Sequence, residues 1–179
     1  SLNRAAALAA KTVSIDDYTK SDQSIACSKI AFVECACSNS SKLGQVAEKR
    51  DISSVRLTKH SADFTTNKGL ETAKSLCRNL HDKGLVIDLW ASLPCKPWSK
   101  WNEFNVWKLG KCFKQYLTGL RQESLLMIDN FIELAEYVLQ FGGFVSYEWP
   151  ANCSGWSIER LSLFFSKHNL LATRCDGCA

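Results

Sequence analysis

Five short groups hold most of the chemical options in this chain: Glu34-Cys-Ala-Cys37, His60 with Asp63, Pro94-Cys95, Glu148-Trp-Pro150 and Asp176-Gly-Cys178. Thiolates act as nucleophiles or metal ligands, and carboxylates bind or move protons. Taken singly, Cys95 reads as an inert buried thiol and Glu148 as a solvated carboxylate. A thiol hydrolase would pair Cys95 with His60, His81 or His168, but no glycine-rich nucleophile elbow surrounds the cysteine. A zinc site would join Cys175-x-x-Cys178 to Cys35, Cys37, Cys153 or His60. It has one C-x-x-C pair where such sites normally draw on two, so no metal is expected. Directly after Cys95, Trp98, Trp101, Phe104 and Trp107 interleave with Lys96, Lys100, Lys108 and Lys111. Indoles stack on bases and ammonium groups pair with phosphates, so this segment suits nucleic acid. The competing reading is that the rings pack beneath the segment and the lysines solvate it.

The elements that must position these groups follow from hydrophobic spacing. Residues 29–35 are rich in strand formers, and Ser38-Asn-Ser-Ser41 supplies turn and cap chemistry for a helix ending near Lys49. Residues 55–58 make a second strand, and Leu70, Ala73, Cys77 and Leu80 recur at helical spacing. Residues 85–91 are nearly continuous in apolar side chains, as befits a central strand buried on both faces. A long basic and aromatic loop over 96–121 is expected next. A helix then runs through Leu125, Ile128, Ile132, Ala135 and Leu139 to Gly142-Gly143. Residues 144–147 make a fourth strand, Ile158, Leu161 and Phe165 mark another helix, and 170–175 make a fifth strand. Residues 1–24 read as a short helix and linker, and 25–179 as a single domain. Such alternation predicts an α/β fold: a doubly wound, Rossmann-like, mainly parallel sheet of about five strands with helices on both faces. Ligands of such sheets bind beyond the carboxyl ends of the strands, near the point where strand order reverses. All five groups fall at that rim.

With 46% hydrophobic residues in a chain of 179, the sequence is too apolar for disorder, and no apolar run approaches a membrane span of roughly 18 residues. An odd number of scattered cysteines predicts reduced thiols and an intracellular setting, cytoplasmic or nuclear. The formal charge of +4 is concentrated: residues 96–121 hold six cations against Glu103 alone. Local basicity of this kind points to a polyanionic partner.

Pro94-Cys95 after the third strand, and Glu148 after the fourth, resemble two motifs of the cytosine-5 DNA methyltransferases: the Pro-Cys nucleophile loop and the Glu that opens their Glu-Asn-Val motif. More closely, Leu89-Trp-Ala-Ser-Leu-Pro-Cys95, Gly142-Gly-Phe-Val-Ser-Tyr-Glu-Trp-Pro150 and Asp176-Gly-Cys178 are similar to methyltransferase-like domains of retroelement-type polyproteins from algae and other protists, over about residues 30–178. The resemblance implies S-adenosylmethionine as cofactor, held by loops carrying Glu34, Cys35, Ser38, Asn39, Ser40, Ser41, Asp63 and Pro94. It implies Cys95 as the nucleophile, adding to C6 of a pyrimidine, and Glu148 as the group on the pyrimidine edge. The partner would be DNA or RNA, bound through Lys96, Trp98, Lys100, Trp101, Lys108 and Lys111, with the target base flipped or single-stranded. Where that family carries a glycine-rich turn, this chain reads Cys35-Ala-Cys-Ser-Asn-Ser-Ser-Lys-Leu-Gly44, with one glycine. A second expectation therefore stands beside the first: a catalytically inactive methyltransferase-like fold that binds nucleic acid or a polyprotein partner.

Overall fold

A computed structural model describes residues 29–174; the helix and linker expected over 1–24 and the Asp176-Gly-Cys178 group lie outside the described residues. Four aliphatic runs form strands: β1 (Ile30–Cys35), β2 (Ser53–Leu57), β3 (Val86–Ala91) and β4 (Phe144–Tyr147). Between and after them lie α1 (Lys42–Lys49), α2 (Asn67–Asp82), α3 (Trp101–Gln140) and α4 (Glu159–Lys167). The strands pair in the order β2-β1-β3-β4, all parallel, with Val33 opposite both Val55 and Leu89, and Ala91 opposite Tyr147. The chain moves outward from β1 to β2, then crosses back to β3. Loops leaving β1 and β3 therefore diverge, which opens a crevice at their carboxyl ends.

The period of two along each strand divides the sheet into unequal faces. Val33, Cys35, Leu57, Ile87, Leu89 and Ala91 are buried against Leu70, Ala73 and Cys77 of α2 and Ile128, Phe131, Leu134, Ala135 and Val138 of α3. Each Val, Leu, Ile or Phe among them contributes about 1.5–3 kcal/mol by leaving water, so this layer dominates stability. Phe32, Glu34, Arg56, Asp88, Trp90 and Phe144 alternate onto the other face, where α1 packs beside β2. Gly44 permits that approach, because a Cβ there would stand 2.3 Å from Arg56 Nε. Phe144, beyond the reach of α1, is 56% exposed.

Caps set the helix ends. The Thr66 hydroxyl accepts from the Gly69 N–H at 3.1 Å and starts α2. Gly142, at φ 72°, ends α3 as expected, while the Gly143 N–H returns to the Val138 carbonyl.

Two expectations are corrected. Residues 96–121 are mostly helical: a 3-10 turn over Lys96–Trp98 leads into α3, which breaks at Gly110 (φ 67°, ψ −148°) into arms 101–109 and 111–140. The first arm hides from periodicity reasoning because Trp101 and Trp107, 74% and 80% exposed, turn toward solvent and serve no core. The described part of the fifth strand, 170–174, joins no ladder. After α4, Asn169 takes φ 52°, the Leu170 N–H bonds back to the Phe165 carbonyl, and the chain leaves the sheet. Among the described residues, no helix is long and apolar enough to cross a membrane.

Candidate active site

The Pro94-Cys95 loop is held by its carbonyls. Trp149 Nε1 donates to the Leu93 carbonyl at 2.6 Å, Asn102 Nδ2 to that of Lys96 at 2.8 Å, and Arg121 Nε to that of Pro97 at 3.2 Å. Ser154 Oγ donates to the Trp98 carbonyl at 2.7 Å, and within the loop the Trp98 N–H donates to the Cys95 carbonyl at 2.9 Å. Five acceptors between Leu93 and Trp98, all but Pro94, are thus engaged, and four of their donors come from outside the loop. Backbone so satisfied has little freedom to move, so the half-buried Cys95 thiol projects from a fixed frame. Trp98 belongs to the same frame: its Nε1 donates to Ser124 Oγ at 2.8 Å, and the Arg121 guanidinium lies 5.2 Å from its ring centroid.

Glu148 leaves β4 beside this loop, because its N–H donates to the Ala91 carbonyl at the end of β3, at 2.9 Å. Its side chain is exposed. Next to it, burial pushes the Tyr147 phenol well above its ordinary range, and the nearby charges of Cys153, Glu148 and Cys95 push in the same direction. The Tyr147 hydroxyl is buried without a hydrogen-bond partner. Cys153, Glu148 and Cys95 are therefore all near enough to act on one unsatisfied hydroxyl. Tyr147 escaped sequence reasoning because it reads as the last strand residue, and Cys153 entered it only as an alternative zinc ligand. Burial also raises the Cys153 thiol, with a smaller contribution from Cys95.

On the face of the sheet opposite Tyr147, Glu34 is 4% exposed and sits in register between Arg56 and Trp90. Ser41 Oγ donates to its Oε1 at 2.6 Å, while Oε2 is buried with no partner. An unsatisfied buried acceptor costs about 1–3 kcal/mol, which a donor-bearing ligand would recover. The following turn uses a left-handed residue where glycine is usual: Ala36 has φ 57°, a strain of roughly 1–2 kcal/mol. The Cys37 thiol is pushed up to about 11, first by burial and then by Glu34. Ser38, Asn39 and Ser40 line the outer part of the turn and are exposed.

Other expected contacts separate from this group. Cys35 is removed from the cofactor contacts: its side chain is 0% exposed on the opposite face of the sheet, where burial and Cys77 raise its thiol. Asp63 is committed to the Thr65 N–H and hydroxyl, which hold its carboxyl below the usual range. Pro94 is exposed beside Cys95, and Lys100, Trp101, Lys108 and Lys111 are exposed on or beside the arms of α3. The Lys96 ammonium lies 5.9 Å from the Tyr116 ring centroid. His81 packs on Phe141 at 4.5 Å, and His168 stands 3.6 Å from Glu136, both where helices end at the amino rim of the sheet. Neither imidazole is placed to activate Cys95. Among the described residues, no three His, Cys, Asp or Glu side chains group as a metal site.

No family model matches the chain, and no curated protein and no solved structure is detectably similar to it.

Proposed function

We propose that this chain is an S-adenosylmethionine-dependent methyltransferase-like domain that acts on nucleic acid at cytosine C5, with Cys95 as nucleophile. The observation that carries the reading is the hydrogen-bonded junction of two strand ends, where the Glu148 N–H donates to the Ala91 carbonyl and the Trp149 indole to the Leu93 carbonyl, so that Glu148 and the Cys95 loop leave β4 and β3 side by side. Cytosine C5 is a poor nucleophile until a thiolate adds at C6. In this reading Cys95, on its fixed loop, makes that bond, and Glu148 meets the N3 edge of the ring, where charge develops. Loss of the C5 proton to solvent then lets the C6–sulfur bond break and returns the thiolate. S-adenosylmethionine, when bound, supplies an electrophilic methyl group. Glu34 fits such a ligand, because its orphaned Oε2 seeks a hydroxyl or ammonium donor.

One observation favours a second reading, in which the fold binds nucleic acid without catalysis: Gly44, the one glycine near the first turn, is consumed in packing on Arg56 and does not line the crevice. Calorimetric titration with S-adenosylmethionine or its demethylated product separates the two. Heat of binding and a raised thermal midpoint support the catalytic reading; no heat and an unchanged midpoint at saturating cofactor leave the binding role. Given binding, Cys95→Ser is expected to abolish methyl transfer and covalent trapping by a mechanism-based pyrimidine analogue while sparing cofactor affinity.

A further inference from the structure

We propose that the cleft between the two arms of α3 binds a phosphodiester of single-stranded nucleic acid and that Arg121 transmits this occupancy to the Cys95 loop. The proposal rests on the nucleic-acid half of the reading above and assigns a site that reading does not contain. The break at Gly110 turns the arms toward each other around a cleft of about 370 Å³. Asn102 and Glu103 line one wall, Lys114, Thr118 and Arg121 the other, and buried Leu117 closes the floor. Lys114 and Arg121 lie seven residues apart, on one face of the second arm. Neither forms an ion pair among the described residues. Glu103 is the only acid on the cleft, so the walls are net positive.

Arg121 joins the cleft to the loop. Its Nε–H is spent on the Pro97 carbonyl and its plane covers Trp98, while its terminal amino groups have no hydrogen-bond acceptor among the described residues. A planar guanidinium with two free amino groups, one ammonium and a hydroxyl nearby make a phosphate-recognising set. A phosphate seated there would hold Arg121 in place, and with it the Pro97 carbonyl, two residues from Cys95. Trp101, Phe104 and Trp107, exposed on the first arm, offer stacking for the neighbouring bases, which favours a single strand over a protein or a lipid surface.

The test compares two probes on the full chain by fluorescence anisotropy: a thymidine oligonucleotide of about a dozen residues, and an abasic deoxyribose-phosphate strand of the same length. Both are expected to bind. Lys114→Gln should weaken both roughly three- to tenfold and lower the salt slope by about 0.7, the value of one single-strand phosphate contact. Lys49→Gln, on α1, serves as the control for general charge and should change neither. Arg121→Lys, which loses the fork, should weaken binding further and speed alkylation of Cys95. The proposal is overturned if Lys114→Gln leaves affinity and salt slope unchanged, or if only the thymidine strand binds. It also falls if anionic phosphatidylserine vesicles bind through Lys114 while neither strand does. Methyl transfer is not read, so failure of the catalytic reading leaves this test intact. Absence of binding by either strand sinks the nucleic-acid reading itself.

Discussion

Replacing Trp149 by Phe tests whether the Cys95 loop is latched from β4. The indole is 6% exposed, its N–H donates to the Leu93 carbonyl at 2.6 Å, and Leu93 is itself buried. Phe keeps an aromatic ring beside Tyr147 and Trp156 but deletes the donor. Leaving the Leu93 carbonyl unsatisfied costs about 1–3 kcal/mol. The smaller ring leaves a void worth about 1 kcal/mol more, at ~24 cal/mol per Å³ over roughly 40 Å³. The sum, about 2–4 kcal/mol, is a large share of the roughly 5–15 kcal/mol that stabilises a domain. It should lower the thermal midpoint by roughly 4–16 °C. Urea unfolding followed by far-ultraviolet circular dichroism gives the stability, and native-state alkylation of Cys95 by iodoacetamide reports the loop. Stability should fall and Cys95 alkylation should accelerate together. Trp156→Phe is the comparison: that indole donates at 3.0 Å to the Pro150 carbonyl, outside the loop, and should leave Cys95 alkylation unchanged. The latch argument fails if Trp149→Phe unfolds at the wild-type urea midpoint, or if stability falls while Cys95 reacts at the wild-type rate.

Four further outcomes are expected. Alkylation followed by peptide mass mapping should modify exposed Cys112 first and Cys95 next; Cys37 should stay slow until the pH nears its shifted value of about 11, and Cys77, raised to about 12, should react only on unfolding. Burial raises the Asp88 carboxyl above 3.8, so the native state holds its proton more tightly than the unfolded one and stability falls as pH rises from about 3.8 upward. Asp88→Asn should therefore raise the melting midpoint at pH 7 and not below the unfolded-state value, and equal midpoints for the two proteins at pH 7 would contradict this. Gly155→Ala places a Cβ 2.1 Å from the Trp149 ring, so calorimetry should show a loss of about 1–3 kcal/mol. Tyr147→Phe removes a buried hydroxyl that has no partner, and urea unfolding should show unchanged or slightly raised stability, by up to about 1 kcal/mol.

Local spacing made some elements readable and left others hidden. The interior place of β3 showed in its apolar run, interrupted only by Asp88. The helix through Ile128, Ala135 and Leu139, with its glycine stop, showed because its stripe faces the core. The first arm of α3 did not, since a helix that presents Trp101, Phe104 and Trp107 to water buries no stripe for periodicity to reveal. Residues 170–174 have strand composition, yet a strand exists only with a partner, and the turn at Asn169 and Leu170 carries them away from β4. Strand-end placement was legible: Glu34 is the penultimate residue of β1, Cys95 lies on the loop after β3 and Glu148 directly after β4. Alternation separates Glu34 from Cys35, but both are buried, and only the positions of α2 and α3 decide which one joins the core. The donors that hold the loop were illegible for a related reason: Trp149 and Leu93, or Ser154 and Trp98, meet only after β3 and β4 have paired.

The place of β1 in the sheet has a consequence during synthesis. Ile-Ala-Phe-Val-Glu-Cys leads the sheet in sequence but lies second in space, with β2 on one side and β3 on the other. One edge is satisfied once Ser53–Leu57 has been made, but the other waits until Val86–Ala91 arrives, with all of α2 in between. Through that interval a short segment of high β propensity, without proline or glycine, offers an open row of amides and carbonyls to any passing chain. Lys29 before it and Glu34 near its end are the charges available as gatekeepers against self-association. Glu34 thus has a duty to the nascent chain, apart from anything it binds in the finished one, and an uncharged residue there would be felt first as a loss of soluble yield.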